Sequence, residues 1–156
     1  PGIPVVAAGG IADGRGLAAA LMLGASGVLL GTRFVATEES LAPEPAKRAV
    51  ARESGDVTVK GSTFDKARGF TWPAPYALRT FSNSFSERWE GKDLPETAIA
   101  EFEAAAARAD MEIAPVVAGE AAGIISDVPS AIDLVPRIVA EAEQKLRGAA
   151  AFCDTP

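Results

Sequence analysis

Pro4-Val-Val-Ala-Ala-Gly-Gly-Ile-Ala-Asp13, followed by Gly24-Ala-Ser-Gly-Val-Leu-Leu-Gly-Thr-Arg-Phe34, is the stretch that decides how this chain is read. Ile3 to Ala8 is a short apolar run rich in β-branched residues and ended by Gly9-Gly10. A run without polar alternation predicts a strand buried on both faces of a parallel sheet. Asp13 predicts the N-cap of the next helix, on which Leu17, Leu21 and Gly24 recur at helical spacing, with Gly24 as its stop. Gly27 to Leu30 predicts a second strand. A strand-helix-strand unit this tight is parallel and right-handed.

Strand, glycine turn and helix repeated in this way match the last strands of a (β/α)8 barrel, where such turns grip a phosphate. Gly9 and Gly10 lack Cβ atoms, so their amides can approach an anion closely. The helix after them is expected to add unpaired N–H groups and a partial positive charge. Gly31 and Thr32 offer the same after the second strand, with the Thr hydroxyl as an extra donor. The alternative is that both turns are merely tight connections. Arg33 either adds charge to the cup or points outward to Glu38 or Glu39.

The fold class expected is therefore α/β, specifically the last two βα units of a (β/α)8 barrel with a mostly helical insert. Residues 1–35 form the barrel units, 36–115 the second domain and 116–148 the return to the barrel with a terminal helix. Residues 149–156 are expected to fray. A whole barrel needs about 250 residues, and this chain has 156 and opens inside the motif at Pro1. The expectation is the C-terminal part of a larger enzyme, inactive alone because the barrel strands would have an open edge.

Beyond Phe34 a helix is predicted from Ala46 to Glu53 and a strand from Val57 to Lys60. Phe70, Trp72, Tyr76, Phe81, Phe85 and Trp89 form an aromatic segment. Leu78, Phe81, Phe85 and Trp89 fall three and four apart, which predicts one helical face. The ordinary role of such aromatics is a satellite core; the alternative is that Trp72 or Tyr76 covers the barrel mouth. Pro95 is placed at the first position of a helix reaching Ala109. Val116 to Ile125 is small and apolar, fit for close packing, with Glu120 as its one carboxylate. Glu120 faces either a cofactor or solvent.

The last helix is expected from Ser130 to Leu146, capped by Ser130 and Asp133, with Ile132, Val135, Val139, Ala142 and Leu146 on its buried face. Pro136 inside it predicts a kink or a restart.

A formal charge of −6 argues against nucleic-acid and anionic-membrane surfaces. No apolar run is long enough to cross a membrane. Cys153, the single cysteine, cannot form an internal disulfide, so a cytoplasmic location is the simple inference. The chain has no histidine, which removes that residue as base or metal ligand here, and its carboxylates show no metal-ligand spacing. Lys60 and Lys66 read as solvated loop charges.

Val6-Ala-Ala-Gly-Gly-Ile-Ala-Asp-Gly-Arg-Gly-Leu-Ala-Ala-Ala-Leu21, together with Gly31-Thr-Arg-Phe-Val-Ala-Thr-Glu-Glu-Ser40, resembles the nitronate monooxygenase family. Ala118-Gly-Glu-Ala-Ala-Gly-Ile-Ile125 and the terminal helix resemble the same family's ending. The resemblance implies an FMN-dependent barrel with a mostly helical second domain inserted after its last strand. It implies that amides around Gly9, Gly10, Leu29, Leu30, Gly31 and Thr32 hold the FMN phosphate. It also implies oxidation of alkyl nitronates with O2 through reduced flavin, or NAD(P)H-dependent quinone reduction in some relatives. The family's catalytic histidine belongs to earlier strands, so no catalytic residue is expected in this segment. Glu120 stands where relatives often carry Gln. Alternatives are a flavin-dependent enoyl-ACP reductase, a barrel similar to IMP dehydrogenase (disfavoured by the aromatic tail), and a non-redox barrel that binds a phosphorylated metabolite.

Overall fold

In the computed structural model, which describes residues 2–152, two short strands lie parallel: β1 (Val6–Ala8) and β2 (Gly27–Leu29), in register Val6 to Gly27, Ala7 to Val28 and Ala8 to Leu29. Between them runs α1 (Gly14–Met22), whose N-cap is Asp13 as expected. Gly24 stops it with φ +94°, its N–H donating to the Leu21 carbonyl. The Cβ-free residue takes the left-handed conformation the stop requires.

Burial on both faces of the sheet is not realised among the described residues. Val6 is 57% and Leu29 65% exposed. Two strands covered on one side leave alternate side chains without a partner.

A short helix α2 (Thr32–Val35) follows β2, and then α3 (Glu44–Arg52). The hairpin of β3 (Thr58–Gly61) and β4 (Leu78–Phe81) is antiparallel, with α4 (Thr63–Ala67) in its connection. The expected strand at Val57 to Lys60 is thus present, shifted by one residue. The expected single helical face from Leu78 to Trp89 is corrected: Leu78 and Phe81 lie in β4, and only Phe85 and Trp89 lie in α5 (Ser84–Trp89). Asn83 breaks the pattern by capping α5 reciprocally with Ser86, so the chain turns between the strand and the helix. Pro95 is the N-cap of α6 (Glu96–Ala107), one position earlier than expected.

The cores follow from this arrangement. Phe64, Phe85 and Phe102 pack with ring centroids 5.7 to 6.3 Å apart, Phe64 stacked on Phe85 and Phe102 tilted against both, and Ala67 and Ala98 complete that cluster. A second cluster gathers Ala36, Val50, Phe81, Val116, Ala118 and Ile125. Of the six aromatics expected in one satellite core, only Phe85 and, at its edge, Trp89 join the phenylalanine cluster; Phe81 belongs to the second cluster, and Phe70, Trp72 and Tyr76 are exposed.

The last helix, α7 (Ala131–Gly148), is unbroken, so it does not restart at Pro136. Pro136 lies in the second turn, and the acceptor left without an intrahelical donor belongs to exposed Ile132, where water can supply one. The buried face is corrected in part: Ala142 is buried as expected, but Ile132, Val135 and Val139 are exposed and Leu134 and Ile138 are buried in their place. That stripe packs on α1, where Gly14 allows the closest approach: a Cβ there would sit 2.5 Å from Glu141 Cβ and from the Ile138 carbonyl oxygen. Residues Ala149–Phe152 form a 3-10 turn where fraying is expected, and Cys153 lies outside the described residues. Among the described residues no helix is long and apolar enough to cross a membrane.

Candidate phosphate cup

The ends of β1 and β2 lie side by side and their glycine turns open into one cavity of 240 Å³. Its walls include Gly9, Gly10, Leu29, Gly31 and Thr32, joined by Gly119, Glu120 and Ala121. Gly9 and Gly10 hold φ of +92° and +71°, a region closed to most side chains. A Cβ at Gly9 or Gly31 would meet no atom within 4 Å, so both face open space. Five of the six residues singled out from sequence are thus brought together. Leu30 is the exception, since its cavity is another one, lined with Leu17, Phe34, Val135 and Ile138.

The third wall arrives from far along the chain. Val117 bridges to Thr80, while the Phe81 N–H donates to the Val116 carbonyl and the Ala118 N–H to that of Arg79. This short ladder along β4 carries Gly119 to the cup, where its N–H donates to Thr32 Oγ1 at 2.8 Å. The hydroxyl expected only as a donor is therefore an acceptor as well, and it keeps its own proton to give. Glu120 sits on the wall with its carboxylate 2.6 Å from the Arg79 guanidinium, which also donates to Thr58 Oγ1.

The N-terminus of α1 does not offer the expected unpaired amides. The Gly14 N–H donates to Glu141 Oε2 at 2.9 Å and the Gly16 N–H to Asp13 Oδ1 at 2.9 Å. Two carboxylates already satisfy the donors that an anion would seek. Burial pushes the Asp13 carboxyl up, but the Gly16 amide and Arg15 outweigh it and hold the group below its ordinary value. By contrast, no side chain caps α2, which begins at the cup after Gly31.

Arg33 takes neither of the roles expected from sequence. It is 3% exposed and turns inward, donating to the Ala36 carbonyl and to Asp127 at both its carboxylate and its backbone oxygen. Its Nε finds no acceptor among the described residues. Burial lowers the Arg33 pKa against the pull of Asp127. Arg137 grips the same carboxylate at 2.6 Å, and this bond leads the interactions that hold Asp127 below the ordinary range. Lys47, also buried, donates to the Glu38 carbonyl and pairs with Glu44.

Phe70, Trp72, Tyr76 and Leu78 line a separate apolar cavity of 620 Å³ with Asp65 and Arg68. Lys60 and Lys66 are exposed.

Gly119, Ala121, Arg79 and Asp127 escape the reading by motif. Only the small-residue run from Val116 to Ile125 hinted at a close approach, and nothing local pairs Glu120 with Arg79.

A family model described as nitronate monooxygenase matches residues 2–141. A nitronate monooxygenase of Neurospora crassa is 36% identical over 154 residues, which is 96% of this chain and 40% of the relative. Among solved structures, FabK from Thermotoga maritima matches with TM-score 0.77 at 28% identity, over 97% of this chain and 48% of its own. A nitroalkane oxidase from Streptomyces ansochromogenes matches with TM-score 0.72 at 31% identity, over 96% of this chain and 42% of its own. The chain thus spans less than half the length of each of these proteins.

Proposed function

The chain belongs to the nitronate monooxygenase family, and on that premise we propose that it supplies the cofactor-phosphate end of a flavin-dependent oxidoreductase. The reading is a (β/α)8 barrel enzyme that holds FMN and oxidises alkyl nitronates with O2. The observation that carries it is the cup: two parallel strand ends, each closing in a glycine turn, facing one small open volume.

The residues fit the group on two counts. Gly9 and Gly31 leave space that any side chain would fill. The volume of 240 Å³ is below the roughly 300–1,000 Å³ of sites that enclose whole ligands, which suits a phosphate tail rather than a ring system. In this reading Gly9, Gly10, Gly31 and Thr32 hold the phosphate by backbone amides and the Thr hydroxyl, with Leu29 ending the strand beside them and Leu30, which lines the other cavity, offering only its backbone. Thr32 also ties down Gly119 and so fixes the third wall. When bound, FMN would supply the redox chemistry. These residues anchor and orient, and none of them is placed to move a substrate proton.

The test is purification of the full-length protein followed by an oxygen electrode. The expected outcome is a yellow protein whose O2 uptake depends on an added alkyl nitronate. A colourless, FMN-indifferent preparation would overturn the reading. NAD(P)H-dependent reduction of an enoyl thioester or a quinone, without nitronate-dependent uptake, would replace the reaction but leave the cup.

A further inference from the structure

The geometry points to Arg79 as a charge-balancing residue that lets the cup accept a phosphate despite Glu120. This inference rests on the reading of the cup as the FMN phosphate site.

Glu120 is part of the cup wall, and a Cβ on Gly10 would lie 4.0 Å from its own Cβ. A carboxylate there opposes a phosphate, because like charges at short range raise the cost of binding. The structure pairs it with Arg79 at 2.6 Å. Arg79 is in turn held by Thr58 Oγ1 across the hairpin, and Lys60 is its cross-strand partner in the ladder. Directly opposed residues of an antiparallel pair share a face. The hairpin therefore sets two cations on one face, with Glu120 taking up the charge of one.

Glu120 is 69% exposed and Arg79 28%. Water and salt screen the pair, so the effect on affinity is several-fold rather than a thousand-fold. Arg79 acts through Glu120 and is a positioning residue. Its signature is that it matters for the phosphorylated flavin and not for the flavin without phosphate.

The experiment measures Kd for FMN and for riboflavin with the full-length apoprotein at low ionic strength. Arg79→Leu is expected to weaken FMN about fivefold and leave riboflavin unchanged. Glu120→Gln is expected to tighten FMN by a similar factor. Arg79→Leu combined with Glu120→Gln is expected to return FMN to the wild-type value or better, and Arg79→Lys to stay near wild type. Equal losses for FMN and riboflavin in Arg79→Leu, or no rescue by the second substitution, would overturn the inference and leave the cup standing. Wild-type protein that binds the two flavins equally would overturn the cup itself, and the inference with it.

Discussion

At the scale of single residues, Thr32 and Asp127 show how much of this site is held by bonds between distant parts of the chain. Thr32 lies in a motif that reads locally, yet its hydroxyl is the acceptor for Gly119, 87 residues away. Thr32→Val keeps the shape and removes that acceptor. The expected cost is about 1 kcal/mol, and up to about 3 if the Gly119 N–H stays dry; thermal denaturation measures it, together with weaker FMN retention in the full-length protein. Asp127 holds Arg33 and Arg137 together. Its folded-state pKa is depressed, led by the bond from Arg137. Its contribution is therefore complete above the unfolded carboxylate pKa of about 3.9 and is lost as the pH falls through the lower folded value. Denaturation midpoints across the acid range should show a shallower acid loss in Asp127→Asn than in wild type, on a lower plateau near neutrality. Parallel profiles would contradict this. Arg33 itself was not legible, because a sequence offers nearby Glu38 and Glu39 as partners and hides an aspartate 94 residues on.

At the scale of elements, β1, α1 and β2 were legible because each carries its own signal. The apolar run, the Asp13 cap and the Gly24 stop all act within a few residues. The hairpin was legible only by half. Leu78 and Phe81 are spaced as on a helix, and the turn at Asn83 that separates them from Phe85 left no mark in the hydrophobic period. The terminal helix shows the opposite failing: it has apolar residues on two faces, and its partner α1 decides which of them is buried. That choice rests on Gly14, where a Cβ would fall 2.6 Å or less from α7 backbone atoms of Ile138 and Ala142. Gly14→Ala should force the two helices apart and cost about 1–3 kcal/mol, read as a lower denaturant midpoint at unchanged slope. A midpoint at or above wild type, from the gain in helix propensity, would show that the contact is loose.

At the scale of the whole molecule, the parts that motifs describe and the parts that complete them come from opposite ends of the chain. The strand ends at Gly9 and Gly31 bring five of the six expected residues into one cavity. The return of residues 116–148 was expected, but the path along β4 that brings Gly119 to Ala121 to the cup was not legible, because a bridge between Val117 and Thr80 has no local signature. Val6 and Leu29 on the two strands remain exposed, as do Val135 and Val139 on α7. The central claim is that the volume in front of the glycine turns holds the FMN phosphate. Flavin occupancy of Gly31→Val in the purified full-length protein tests it most directly. Gly31 has φ −98°, which a valine can adopt, and its Cβ would enter open space, so the fold should survive while the cup fills. Folded protein with little bound FMN is the predicted result, and folded protein with wild-type flavin occupancy would contradict the claim.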